Sequence, residues 1–173
     1  MYLKPHGILP AMITPLDKNG KVNFPVLRKL INYLIEGGVH GIFAIGTTGE
    51  FYALSNEEYR EVLEATVAET AGRVPVYAGA NAITTKDSVI LTQIAQDVGV
   101  DALSVLTPLF INPSQEQVYE HFKTVAHNTD LPVLLYNNAP KTHVDIAPHI
   151  VARLAKIKNI VGIKDSTGDL TTT

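Results

Sequence analysis

Lys164 has the most chemistry to offer in this 173-residue sequence, because it closes the otherwise apolar run Ile160-Val161-Gly162-Ile163. If that run is a strand ending in an enclosed site, burial penalises the ammonium and leaves a neutral, nucleophilic amine. Such an amine attacks a ketone or aldehyde. The Schiff-base cation that results stabilises a carbanion at the neighbouring carbon. Tyr136 closes the preceding run, Pro132-Val133-Leu134-Leu135-Tyr136, and a phenol beside that amine passes protons to and from the carbinolamine. Gly46-Thr47-Thr48-Gly49 offers two hydroxyls and several backbone N–H groups in one tight turn. A nest of that kind suits a carboxylate or a phosphate. Taken singly, each feature has an ordinary reading as well: a lysine reaching solvent from a strand end, a core tyrosine, a common βα turn.

Other chemistries lack their residues. The chain has no cysteine, which removes thiolate metal sites, disulfides and cysteine nucleophiles. His6, His40, His121, His127, His143 and His149 show no metal-ligand spacing, and all six read as surface or capping residues. Ser104 has no Gly-x-Ser-x-Gly setting. Neither a dinucleotide-binding Gly-x-Gly-x-x-Gly after the first run nor a phosphate-binding P-loop occurs. Net charge is −3 without a basic stripe, so no nucleic-acid partner is expected. No apolar run approaches the length of a membrane span, and Met1 to Gly7 holds no signal-peptide core. The expectation is a cytoplasmic protein that takes a small molecule.

The elements that must position Lys164 and Tyr136 follow from hydropathy. Six short runs, beginning near residues 8, 42, 75, 102, 133 and 160, are apolar at nearly every position. That pattern predicts parallel strands buried on both faces. Between them the period becomes helical: Leu27, Leu30, Ile31, Leu34 and Ile35 share a stripe, as do Tyr59, Val62, Leu63 and Val67. Two more stripes run through Leu91 to Val98 and Val118 to Ala126, and a fifth, weakly capped helix is expected from Ile146 to Lys156. Ser55 with Glu58 and Ser114 with Gln117 have capping-box spacing, while Gly37, Gly72 and Gly99 mark helix ends. Strict alternation predicts an α/β protein. Because nearly every strand delivers polar or turn-forming residues at its carboxyl end, a (β/α)8 TIM barrel is expected over an open doubly wound sheet. Eight units of about 30 residues need roughly 240. The chain is therefore expected to be a single barrel domain over 1–173 with about the first six βα units, the sixth helix only starting near Asp169 to Thr173.

Gly46-Thr47-Thr48-Gly49-Glu50, Tyr136-Asn137 and Gly162-Ile163-Lys164-Asp165, in this order and spacing, resemble the dihydrodipicolinate synthase / N-acetylneuraminate lyase family. Thr14-Pro15, Thr107-Pro108, Asn112-Pro113-Ser114-Gln115 and Ser166-Thr167-Gly168-Asp169-Leu170 extend the likeness from about residue 7 to the last. The resemblance implies a class I aldolase-type barrel that forms a Schiff base with pyruvate, needs no metal or other cofactor, and assembles as a homo-oligomer, a dimer or tetramer. It implies Lys164 as the Schiff-base lysine, Tyr136 as the proton-transfer phenol, Thr47 as its relay and Thr48 as a carboxylate-binding residue. Two positions depart from the synthase pattern. Phe110 stands where a second tyrosine is usual, and Lys141 where an arginine helps bind the aldehyde's carboxylate; lysine keeps the charge without the bidentate fork. The expected reaction is condensation of pyruvate with aspartate semialdehyde toward lysine biosynthesis. Cleavage of a 2-keto-3-deoxy sugar acid or N-acetylneuraminate is the alternative, and a non-catalytic carboxylate-binding protein the rival from another class.

Overall fold

The computed structural model describes residues 3–169. Five parallel strands form one sheet: β1 (Ile42–Ala44), β2 (Val76–Gly79), β3 (Ala102–Leu106), β4 (Val133–Asn137) and β5 (Ile160–Asp165). Their spatial order is their chain order. A doubly wound sheet reverses direction at a switch point, whereas a barrel adds each strand beside the last.

Curvature supports the same conclusion. Strands lie about 4.8 Å apart, so β1 and β5 would be roughly 19 Å apart in a flat sheet. Yet the Lys164 ammonium on β5 lies 4.4 Å from the centroid of the Phe43 ring on β1. Such a sheet is an arc of a barrel.

The helices are α1 (Phe24–Glu36), α2 (Asn56–Thr70), α3 (Thr85–Val98), α4 (Gln115–His127), the short α5 (Ala139–Thr142) and α6 (Pro148–Leu154), with a 3₁₀ turn at Phe51–Ala53. Both capping boxes form. The apolar stripes of the helices pack on the outer face of the sheet, where Leu27, Ile31, Leu63, Phe122 and Leu154 lose all contact with water. A smaller cluster of Phe43, Tyr77, Ala102 and Leu134 fills the inner face.

Three expectations are corrected. The first apolar run is not a full strand: it meets β1 by a single parallel bridge, Ala11 to Phe43. Pro10 has no N–H to give a ladder, although its carbonyl accepts from Phe43 N–H at 3.1 Å. The fifth helix is shorter than expected, covering Pro148–Leu154, and α5 precedes it. α2 ends where Gly72 marks it, with the left-handed C-cap at Ala71 and Gly72 following at φ 69°. His121 is neither a surface nor a capping residue. It is 2% exposed and joins α4 to Leu106 O at 3.1 Å and to Thr85 Oγ1 at 2.9 Å. Since a carbonyl only accepts, Nε2 carries the hydrogen and Nδ1 accepts from Thr85. Burial pushes the His121 pKa down to about 4, against a smaller opposing effect of the Leu106 carbonyl. The expected start of a sixth helix falls largely on Leu170 to Thr173, outside the described residues. No helix among the described residues is long and apolar enough to cross a membrane.

Candidate active site

The carboxyl ends of β1, β4 and β5 meet on the inner face. Parallel register sets Tyr136 opposite Lys164 and Asn137 opposite Asp165. The strand ends are tied together by Asn137, whose Nδ2 donates to Asp145 Oδ1 at 2.7 Å and to Asp165 Oδ2 at 3.2 Å. Its carbonyl accepts from Ser166 N–H at 2.9 Å. Lys164 is thus held with its Nζ 3.9 Å from the Tyr136 ring centroid. Burial pushes the Lys164 pKa below the usual lysine range, and the neighbouring phenol opposes that only in part. Burial alone would raise the Tyr136 phenol. The Thr47 hydroxyl, the Lys164 charge, Ser166 and Asn138 together outweigh it, and the phenol lies below the usual tyrosine range. An amine made less basic beside a phenol made more acidic is a proton-transfer pair.

Thr47 reaches this pair from β1, with its Oγ1 3.4 Å from Tyr136 Oη. The backbone makes an abrupt change of direction to put it there. Ile45, a buried β-branched residue, has φ 53°, which ends β1 after three residues and stores strain. The neighbouring backbone permits it only because Gly79 has no side chain: a Cβ there would lie 2.2 Å from Ile45 O. Thr14 Oγ1 donates to Gly49 O at 2.7 Å and closes the turn from below. Within the turn, Gly49 N–H bonds Gly46 O and Glu50 N–H bonds Thr47 O. The N–H groups of Thr47 and Thr48 take no part in those bonds. Thr48 is exposed at the tip of this nest.

Lys164, Tyr136 and Thr47 therefore come together, with Thr48 on the same turn. Lys141 does not join them. It is exposed on α5, and no hydrogen bond or ion pair among the described residues links it to the trio. Phe110 has φ 77° and is 90% exposed, in the loop after β3.

A cavity of about 260 Å³ lies beside Lys164, lined by Leu9, Phe43, Tyr77, Ser104 and Leu134. The Ser104 hydroxyl is buried without a hydrogen-bond partner. Sequence reasoning missed Phe43, whose ring lies against the ammonium, and Asn138, whose Nδ2 donates to Tyr136 Oη at 2.9 Å. β1 is apolar and buried at every position, so its pattern carries no signal that singles out Phe43. For Asn138 there was none beyond its adjacency to Tyr136-Asn137. Among the described residues no group of three His, Asp or Glu side chains converges as a metal site.

Comparison with known proteins gives one answer. The model of the dihydrodipicolinate synthetase family matches residues 4–173. The 4-hydroxy-tetrahydrodipicolinate synthase of Bacillus velezensis is 48% identical over 164 residues, which are 95% of this chain and 57% of that protein. The enzyme of the same name from Desulforudis audaxviator is 44% identical over 163 residues, 94% of this chain and 55% of that one. The crystal structure of chloride-inhibited dihydrodipicolinate synthase from Acinetobacter baumannii, complexed with pyruvate, superposes with a TM-score of 0.94 at 42% identity. That match covers 96% of this chain and 57% of the other. The chain spans just over half the length of these relatives.

Proposed function

Because the chain belongs to the dihydrodipicolinate synthetase family, we propose that Lys164 forms a Schiff base with pyruvate in a 4-hydroxy-tetrahydrodipicolinate synthase. The observation that carries this reading is the half-buried Lys164 amine against Tyr136, with Thr47 on the phenol. The neutral amine attacks the ketone carbon of pyruvate. Tyr136 gives a proton to the carbinolamine oxygen, water leaves, and the C=N bond forms. The Tyr136 phenolate takes a proton from the methyl carbon to give an enamine, which attacks the aldehyde carbon of aspartate semialdehyde while the aldehyde oxygen receives the proton back from Tyr136. Thr47 passes protons to and from Tyr136. Thr48, with its hydroxyl and N–H free on the turn, receives the pyruvate carboxylate, and Lys141 answers the carboxylate of the aldehyde. No metal or other cofactor enters these steps.

The working unit is a closed barrel, to which these residues contribute the first six βα units as one domain. It works as a homo-oligomer in the cytoplasm. Tyr52, Ile83, Phe110 and Ile111 support the assembly: all are more than half exposed and apolar, and all lie on loops at the carboxyl end of the strands. A patch of this kind suits contact between copies.

Phe110 also favours a second reading, cleavage of a 2-keto-3-deoxy sugar acid or N-acetylneuraminate, since the loop offers no hydroxyl to lengthen the relay. Turnover with aspartate semialdehyde, set against retro-aldol cleavage of the sugar acids, separates the two. The first reading predicts condensation as the faster reaction, slowed by Lys141→Ala. Cleavage without condensation would transfer the assignment to the second. A folded protein that neither condenses nor cleaves would leave a carboxylate-binding protein.

A further inference from the structure

We propose that Asn138 is a positioning residue of the proton relay: its amide orients the Tyr136 phenol and holds the phenolate formed when that phenol gives up its proton. This rests on the reading of Tyr136 as the proton-transfer group. Asn138 is the N-cap of α5, a position where the asparagine side-chain oxygen ordinarily accepts from the helix N–H groups. Here it makes no such bond. Only its backbone carbonyl joins the helix, accepting from Lys141 N–H at 2.8 Å and Thr142 N–H at 3.0 Å.

The amide of Asn138, a residue only 7% exposed, is turned instead onto Tyr136 Oη at 2.9 Å. That contact is shorter than the 3.4 Å from Thr47. An amide nitrogen only donates. The phenol oxygen therefore accepts from Asn138, and the phenol hydrogen is left for Thr47 Oγ1 or for a bound substrate. A donor fixed on that oxygen strengthens as negative charge develops there. The other groups acting on the phenol are Lys164 from β5, Ser166 just beyond it and Thr47 from the β1 turn. Lys164 supplies the charge among them, and Asn138 supplies a short, buried neutral donor.

The test follows the titration of Tyr136 in the full chain by carbon-13 labelling of the tyrosine ring carbon bearing the hydroxyl, with Tyr136→Phe identifying the signal. Asn138→Leu is expected to make Tyr136 roughly tenfold weaker as an acid, as befits loss of a hydrogen bond to a charged group. Asn138→Asp, which keeps the size but replaces the donors with a carboxylate, is expected to weaken it further and serves alone if the leucine variant does not fold. The pH profile of turnover moves with the titration. A merely structural role would lower the melting temperature and leave Tyr136 titrating as before, and that result overturns the proposal. The readout needs no substrate, so a failure of the pyruvate reading would show separately, as absence of an imine in a protein whose Tyr136 still responds to Asn138.

Discussion

The outer and inner faces of the sheet are built differently. Outside, Ile31, Leu63, Phe122 and Leu154 interlock in a continuous apolar layer fully withdrawn from water. Inside, Phe43, Tyr77, Ala102 and Leu134 make a small cluster, and Lys164, Tyr136 and an unpartnered Ser104 hydroxyl stand beside it. Burying an unpartnered hydroxyl costs on the order of 1–3 kcal/mol, and desolvating a lysine costs stability as well. The outer layer also buries unpartnered hydroxyls, at Tyr59, Ser88 and Thr92, so what sets the inner face apart is a desolvated amine held beside a phenol. The contrast locates function: substitutions outside should move stability, and those inside should move chemistry.

Tyr136→Phe should test the inner face most severely. It keeps the ring beside Lys164 and removes the hydroxyl, so turnover should fall about 10²–10⁴-fold, the usual worth of a positioned acid or base. Thermal unfolding should shift little; a large loss of melting temperature at normal turnover would reverse the assignment of faces. Phe122→Ala, on the outer side, should cost about 3–5 kcal/mol in denaturant unfolding while any folded fraction keeps its Lys164 chemistry.

His121 adds a pH dependence to the outer layer. Its folded pKa, pushed down to about 4, lies below the unfolded value near 6.5, so between those values the unfolded chain binds more protons. The contribution of His121 to stability is fully present above about pH 6.5 and is expected to fall by roughly 3 kcal/mol as pH drops toward 4. Unfolding curves across that range should lose this slope in His121→Gln. Ser55→Ala, which removes one side of a capping box, should have the smallest effect, about 1 kcal/mol in the same assay. No change would mean that the α2 cap adds nothing to the outer layer.

The division between faces also explains what was legible in the sequence. β1 to β5 and the stripes of α1 to α4 follow from hydropathy, because burial against a neighbouring layer imposes a period on the chain. Lys164 and Tyr136 were legible because strand ends are fixed once strands are. The Ala11 segment has the apolar composition of a strand, but Pro10 interrupts the donors a ladder needs. His121 was misread because its burial depends on Thr85 and Leu106, distant partners with no local trace. Asn138 was invisible for a similar reason, since the bend of the backbone before α5 (φ −146°, ψ 56°) aims its amide at Tyr136. The left-handed Ile45 is likewise set by the absence of a Cβ on Gly79, a neighbour 34 residues away in sequence.

The most direct test of the inner face as a site of amine chemistry is borohydride reduction of the full chain in the presence of pyruvate, followed by peptide mass spectrometry. A Schiff base at Lys164 predicts one reduced pyruvate on the peptide carrying Lys164, none on the peptide of Lys141 or of any other lysine, and none in Lys164→Met. A folded protein that gives no adduct, or places it on another lysine, would contradict the account.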